Sequence, residues 1–321
     1  MAKVRIGLLG ASKIAPTAVV GPVGKRDDFI ITAVAARDPA RAQRYAQTHG
    51  IAAVAADYRA LVERDDVDVV YNGLPPAGHA EWTLAALEAG KAVLCEKPFA
   101  RDAGEARTMV EGAKAKGLTL LEAFHYRLHN VMRQAVRLVR EGAIGKPQRA
   151  AAEFHAPIPR SAEELRWRAD LGGGAIMDLG CYPLHAVRSL IGEEPTIQSA
   201  SAVWEEGVDA ETRASLVFPS GVTAEIACSM TPERPSAWLW VEGDNGRLDI
   251  VNFLAPQIGC RFTTTVDGMT TEHPTDGPTT YEAQLAHLAE VLAGRAEPLV
   301  GGVDAVANMA AIDAIKAAAR G

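Results

Sequence analysis

The chain has 321 residues, enough for about two domains of roughly 100–200 residues each. Hydrophobic residues make up 48% and charged residues 23%, which supports a sizeable buried core. A formal net charge of -7 gives no electrostatic reason to seek DNA, RNA or anionic lipid, so any bound phosphate must meet a local cluster of donors.

Val4–Leu9 is an apolar run of strand length and runs into Gly10-Ala11-Ser12-Lys13-Ile14-Ala15. A dinucleotide fold needs a tight turn here, then a helix N-terminus whose N–H groups face a pyrophosphate. Gly10 supplies the turn. Ser12 stands where the fingerprint has its second glycine, a departure, and Ala15 stands at the third, where alanine is allowed. Gly10, Ala11, Ser12, Lys13 and Ile14 are therefore candidate cofactor-binding residues. Residues 30–35 form a second strand, followed by Arg37. An acidic residue at this place accepts from the ribose 2′-hydroxyl of NAD, whereas an arginine can pair with a 2′-phosphate. Arg37, with Ser12, selects NADP(H) as the preferred cofactor, with NAD(H) possible. Asp38-Pro39 opens a helix that should stop at Gly50, and Asp57 caps a second over 58–64. Strands at 67–71, Ala92–Cys95 and 119–121 alternate with helices at 80–89 and Ala103–Lys116. This alternation implies a parallel sheet covered by helices on both faces.

The rhythm changes near residue 123. A helix at 131–141 leads to a Gly145-Lys146-Pro147 turn. After the loop at 172–174 comes a helical stretch at 178–190, then β runs at 196–204, 212–218, 222–229, 237–242 and 247–251. Pro219-Ser220-Gly221 and Asp244-Asn245-Gly246 are hairpin connectors. Helices at 281–293 and 303–319 finish the chain. The fold class is α/β: a dinucleotide-binding domain over 1–123, then an α+β domain over 124–321 with an open, mainly antiparallel sheet, its C-terminal helix able to pack back on the first domain. Cys95, Cys181, Cys228 and Cys260 are far apart, without a CxxC, which fits a reducing cytoplasm. His125 and His129 lack ligand spacing such as HExxH, so no metal is expected. There is no signal-peptide pattern, and no window of about 18 apolar residues that would span a membrane.

Cys95-Glu96-Lys97-Pro98 ends the fifth strand, at the edge where open parallel sheets bind ligands. Asn72, Pro75 and His79, after the fourth strand, are expected to face the same crevice. A second cluster runs from Gly172-Gly173-Gly174 to Asp178, Tyr182 and His185. On a regular helix Asp178 and Tyr182 are four apart and share a face. His185 is expected as a hydrogen-bonded core residue, and Trp238 and Trp240 as core or interface.

In these residues the sequence resembles the glucose–fructose oxidoreductase/inositol dehydrogenase/rhizopine-catabolism (Gfo/Idh/MocA) family. The resemblance covers nearly the whole chain: the N-terminal loop, Glu96-Lys97-Pro98, Glu122-Ala123-Phe124-His125-Tyr126-Arg127, Trp167-Arg168 and the Gly172 to His185 stretch. Gly180-Cys181-Tyr182-Pro183 is most similar to the branch with dihydrodiol dehydrogenases, glucose–fructose oxidoreductase and NADP-dependent xylose dehydrogenases. Inositol dehydrogenases carry histidine where this chain has Tyr182. The resemblance implies a Rossmann domain, then a domain whose open sheet makes a homo-oligomer. It implies that Lys97 and Tyr182 stand beside the nicotinamide and that Asp178 helps hold the substrate or the lysine. It also puts Glu96, Arg127, Trp167 and Arg168 among the cofactor and substrate contacts. The expected activity is an NADP(H)-dependent oxidoreductase acting on a CH–OH or C=O group of a sugar, polyol or diol. Hydride transfer leaves a proton to move. A phenol with a pKa of about 10 is a poor base until a nearby ammonium favours its phenolate. Which of Lys97 and Tyr182 carries the proton stays open. The alternatives are a non-catalytic dinucleotide-binding sensor of the same fold, and a sugar oxidoreductase that recycles tightly bound NADP.

Overall fold

Strand–helix alternation in the first 123 residues folds as a parallel sheet. The computed structural model describes residues 3–161 and 163–320. The first part runs β1 (Val4–Leu9), a π-helical turn (Pro16–Val20) continuing into the single turn α1 (Gly21–Gly24), β2 (Phe29–Ala35), α2 (Pro39–His49), β3 (Ala53–Val54) and α3 (Tyr58–Val62). It continues with β4 (Val69–Asn72), α4 (His79–Glu88), β5 (Ala92–Cys95), α5 (Ala103–Lys116) and β6 (Leu120–Glu122). The strands lie in the order β3-β2-β1-β4-β5-β6, all parallel. Strand order reverses between β1 and β4, so a crevice opens outside the C-terminal ends of these two strands. Local chemistry sets the helix ends. Asp38 and Asp57 accept the N–H groups of Ala40 and Ala60, and Gly50 and Gly117 close α2 and α5 in the left-handed conformation. Leu8, Leu9, Val34, Val70 and Val93 are wholly buried between the helical layers, as strands covered on both faces require.

The second part runs through a 3-10 turn (His125–Leu128), α6 (Asn130–Arg140), β7 (Pro147–His155), a π-helical turn (Ile176–Gly180) and α7 (Cys181–Ile191). Then come β8 (Thr196–Glu205), β9 (Val208–Val217), β10 (Thr223–Ser229), β11 (Ser236–Gly243), β12 (Gly246–Val251), β13 (Arg261–Val266) and β14 (Met269–Glu272), followed by α8 (Thr280–Leu292) and α9 (Val303–Ala318). These strands make an eight-stranded sheet in the order β14-β13-β12-β11-β7-β10-β9-β8, antiparallel except for the β7–β10 pair. The sequence pointed to five of these strands. It did not point to β7, which occupies the middle of the sheet, nor to the β13–β14 hairpin. Helix α7 packs against β7, and Phe154 brings its ring to 5.7 Å from that of Tyr182. The chain divides into two compact units. One comprises the residues up to Ala123 with Gln284–Val306, the other Phe124–Ala283 with the residues from Ala307 on. No helix among the described residues is long and apolar enough to cross a membrane.

Candidate active site

In the first unit the loop after β1 turns at Gly10, with φ at +90°. A Cβ there would lie 3.1 Å from the Leu74 side chain and 3.3 Å from the Gly73 carbonyl oxygen. Ser12 Oγ accepts the N–H of Ala15 at 3.3 Å, opening the π-helical turn as a cap would. Among the described residues none accepts the backbone N–H of Ser12, Lys13 or Ile14. These are donors at a helix start, the arrangement that receives a phosphate. Arg37 lies exposed just beyond β2 and gives its backbone N–H to the Tyr58 hydroxyl at 3.1 Å. The sequence reading missed Arg41. Its Nη2 donates to the Ala11 carbonyl at 2.7 Å, while the Tyr45 hydroxyl donates to the Ser12 carbonyl at 3.4 Å. Its signal was the spacing of four from Arg37 across the Asp38-Pro39 helix start. A glycine turn, free amide donors and two arginines on the α2 side fit a dinucleotide phosphate.

The segment after β5 is braced from below. The Tyr71 hydroxyl donates to Glu96 Oε1 at 2.7 Å, and the Lys97 N–H donates to Glu96 Oε2 at 3.2 Å. His79 is fully buried, with Nδ1 2.9 Å from the Pro98 carbonyl and Nε2 2.8 Å from the Leu74 carbonyl. Burial holds its pKa below the ordinary value, against the opposite pull of those carbonyls. Asn72 turns into the protein: its amide donates to the His79 carbonyl and the Thr83 hydroxyl, both at 3.2 Å. Thus Asn72 and His79 clamp the loops that carry Pro75 and the half-buried Lys97, whose bond to Pro98 is cis.

In the second unit the glycine-rich loop is tied down from β9. Gly174 has φ +120°, and a Cβ there would sit 2.2 Å from Asp209 Oδ1. Asp209 accepts the Ile176 N–H and the Thr212 hydroxyl, each at 2.7 Å. Burial pushes its carboxyl up, while those two donors pull it down. The turn that follows is π-helical, so Asp178 and Tyr182 do not share a regular α-helical register. Asp178 meets Arg166, whose Nε donates to Oδ2 at 2.5 Å and whose Nη1 donates to Glu164 at 2.9 Å. Burial disfavours the Arg166 charge, but these two carboxylates outweigh it and raise its pKa. Arg168 is exposed and pairs with Asp170 at 2.6 Å. Trp167 is buried under the Arg160 guanidinium and donates to the Ile158 carbonyl at 3.4 Å. Arg127 is buried on the 3-10 turn.

Tyr182 is 6% exposed and sits among Phe124, Tyr126 and Phe154, with ring centroids 5.4 to 5.7 Å away. Its hydroxyl lies 3.3 Å from His125 Nε2, a residue that the sequence placed in the Glu122 to Arg127 motif without a role of its own. His185 is a core residue as expected, with Nδ1 2.6 Å from the Tyr126 hydroxyl. Among the described residues no three His, Cys, Asp or Glu side chains gather as a metal site.

Two family models match the chain. Residues 4–124 match the oxidoreductase family with an NAD-binding Rossmann fold, and residues 132–249 match the GFO/IDH/MocA C-terminal domain. The D-xylose 1-dehydrogenase (NADP(+)) 2 of Haloferax volcanii is 32% identical, over 96% of this chain and 95% of that protein. A trans-1,2-dihydrobenzene-1,2-diol dehydrogenase of Oryctolagus cuniculus is 36% identical over 64% of this chain and 63% of its own length. A 3-ketoreductase from Actinomadura kijaniata, solved in complex with NADP and TDP-benzene, superposes with a TM-score of 0.90 at 28% identity, covering 98% of each chain. With the glycine turn, the strand order and both domain matches in agreement, the chain belongs to the GFO/IDH/MocA oxidoreductase family.

Proposed function

We propose that this oxidoreductase uses NADP(H) in preference to NAD(H) and acts on the CH–OH or C=O group of a sugar, polyol or diol. The observation that carries the reading is the joint presence, in a chain of this family, of Lys97 on the braced segment after β5 and Tyr182 at the start of α7. The relatives named for NADP, xylose and a dihydrodiol support the cofactor and the substrate class. Gly10, Ala11, Ser12, Lys13 and Ile14 would cradle the pyrophosphate, with Arg37 and Arg41 pairing a 2′-phosphate. When bound, the nicotinamide supplies the hydride chemistry. The protein handles the proton: Tyr182 passes it at Oη, and the Lys97 ammonium favours the phenolate and polarises the substrate oxygen. Asp178, oriented by Arg166, accepts a hydrogen bond from a second substrate hydroxyl. Glu96, Asn72 and His79 serve by fixing the Lys97 segment and the loop of Pro75, while Arg127, Trp167 and Arg168 line the cofactor and substrate pocket.

The same reading makes the protein cytoplasmic, consistent with four free cysteines, and a homo-oligomer joined through the eight-stranded sheet. Half-exposed Trp238 and Trp240 on adjacent rows of that sheet support such an interface. The test is a screen of NADP+ reduction and NADPH oxidation against aldoses, ketoses, polyols and aromatic diols. Turnover is expected with at least one class, at lower KM for NADP(H) than for NAD(H). Absence of turnover across the panel in both directions would contradict it.

A further inference from the structure

Tyr182 is almost wholly buried, so a phenol that gives or takes a proton there needs a route by which to be reset. Its hydroxyl lies against one imidazole, His125 Nε2, at 3.3 Å. His125 sits on the 3-10 turn between β6 and α6 and is itself 7% exposed. Titratable groups facing its ring include Tyr182 from α7 and Tyr281 from the first turn of α8, whose ring centroid is 4.2 Å away. Arg127 and Tyr126 flank it on its own turn. The neighbouring imidazole, His185, is committed elsewhere: it bonds Tyr126 and stacks on Phe124 at 4.2 Å, and is 1% exposed. Two phenol–imidazole pairs therefore stand side by side. One is sealed in the core; the other involves the phenol assigned to proton transfer.

We infer that His125 is the proton relay of Tyr182, acting through the phenol as a positioning residue; the inference rests on the role proposed for Tyr182. In alcohol oxidation the substrate C–H hydride leaves to the nicotinamide and the O–H proton goes to the Tyr182 phenolate. The phenol then passes a proton to Nε2 of a neutral His125 bearing hydrogen on Nδ1. Because the Nδ1 edge of the ring is buried, the imidazolium gives the proton back through the Tyr182 hydroxyl to water entering the substrate site after product leaves, restoring phenolate and neutral imidazole. In ketone reduction the imidazolium reloads the phenolate, so each turnover consumes one hydride and one proton. The chemistry assigns opposite protonation states to the two directions.

The experiment compares His125→Gln, His125→Asn and Tyr182→Phe with the wild-type holoenzyme. Gln and Asn can accept the Tyr182 hydrogen bond but carry no proton. Relay predicts that kcat for oxidation falls by about 10²-fold in both His125 variants, with KM and NADP(H) affinity unchanged. It also predicts that the acidic loss of kcat for oxidation in the wild type, where a protonated His125 can no longer accept, disappears. Wild-type kcat with an unchanged acidic limb in either folded variant would overturn the relay, as would a wild-type kcat for oxidation with no acidic limb. Tyr182→Phe separates the layers. If it keeps wild-type turnover, the role proposed for Tyr182 fails; if it is inactive while the His125 variants are not, the relay alone fails.

Discussion

Arg41 commits one guanidinium N–H to the Ala11 carbonyl, whereas Arg37 holds Tyr58 through its backbone and keeps its side chain exposed. The two arginines should therefore fail differently. Arg37→Ala removes the charge-assisted partner proposed for the 2′-phosphate, of about 1.5–3 kcal/mol. It should raise KM for NADP(H) roughly 10- to 100-fold and leave KM for NAD(H) nearly unchanged. Arg41→Ala also withdraws the brace on Ala11, so it should weaken both cofactors. Steady-state KM values for both cofactors check this, and an equal loss for both in Arg37→Ala would contradict it. Arg37 could be named as a candidate from the sequence because a residue just past a parallel strand lies at the ligand edge. Arg41 was not, because a charge on an exposed helix reads as solvated until the helix start is fixed in space. The same limit applies to Arg166. Between Leu165 and Leu171 the chain makes short 3-10 turns with no sustained period, so nothing in the spacing tells Arg166, which meets Asp178, from Arg168, which meets Asp170.

Elements whose ends are set by local chemistry could be read from the sequence, and elements set by packing could not. Asp38, Asp57, Gly50 and Gly117 act within a few residues of themselves, and each is found at the helix end where it was expected. The Asp267-Gly268 turn joining β13 to β14 carries positive φ at both residues, a local hairpin signal that the sequence reading passed over. Strand β7 is different. Its centre, Ala150-Ala151-Ala152, has no β preference, and it is strand through its pairing with β10 and β11, its side chains buried. The π-helical turn before α7 is equally silent, since nothing in a 3.6-residue pattern announces one wide turn. What holds that turn is Asp209. Gly174→Ala should drive a Cβ into Asp209 Oδ1 at a backbone angle alanine resists, costing about 1–3 kcal/mol. Asp209→Ala should cost a similar amount by stranding the buried Ile176 N–H. Urea unfolding checks both; wild-type midpoints would show that the loop is not anchored there.

At the scale of the whole molecule, burial leaves a signature in the pH dependence of stability. It pushes His79, His129 and His273 below the ordinary histidine value of 6.5. Between 6.5 and the lowered values the unfolded chain binds protons that the folded chain does not, so stability rises with pH there and is lost on acidification. The unfolding free energy should fall from about pH 7.5 to 5.5, and His79→Gln should flatten part of that slope; a flat or inverted profile in the wild type would contradict it. Lys97 and the dinucleotide loop lie in one compact unit, Tyr182 and Asp178 in the other. The most direct test of that division of labour is a double-mutant cycle on kcat with Lys97→Met, Tyr182→Phe and the pair. Groups serving one proton-transfer step are strongly non-additive. Each single change should lower kcat by about 10²–10⁴, and the double variant should lose little more than the worse single. Losses that multiply independently, or near-wild-type rates in both singles, would contradict the account.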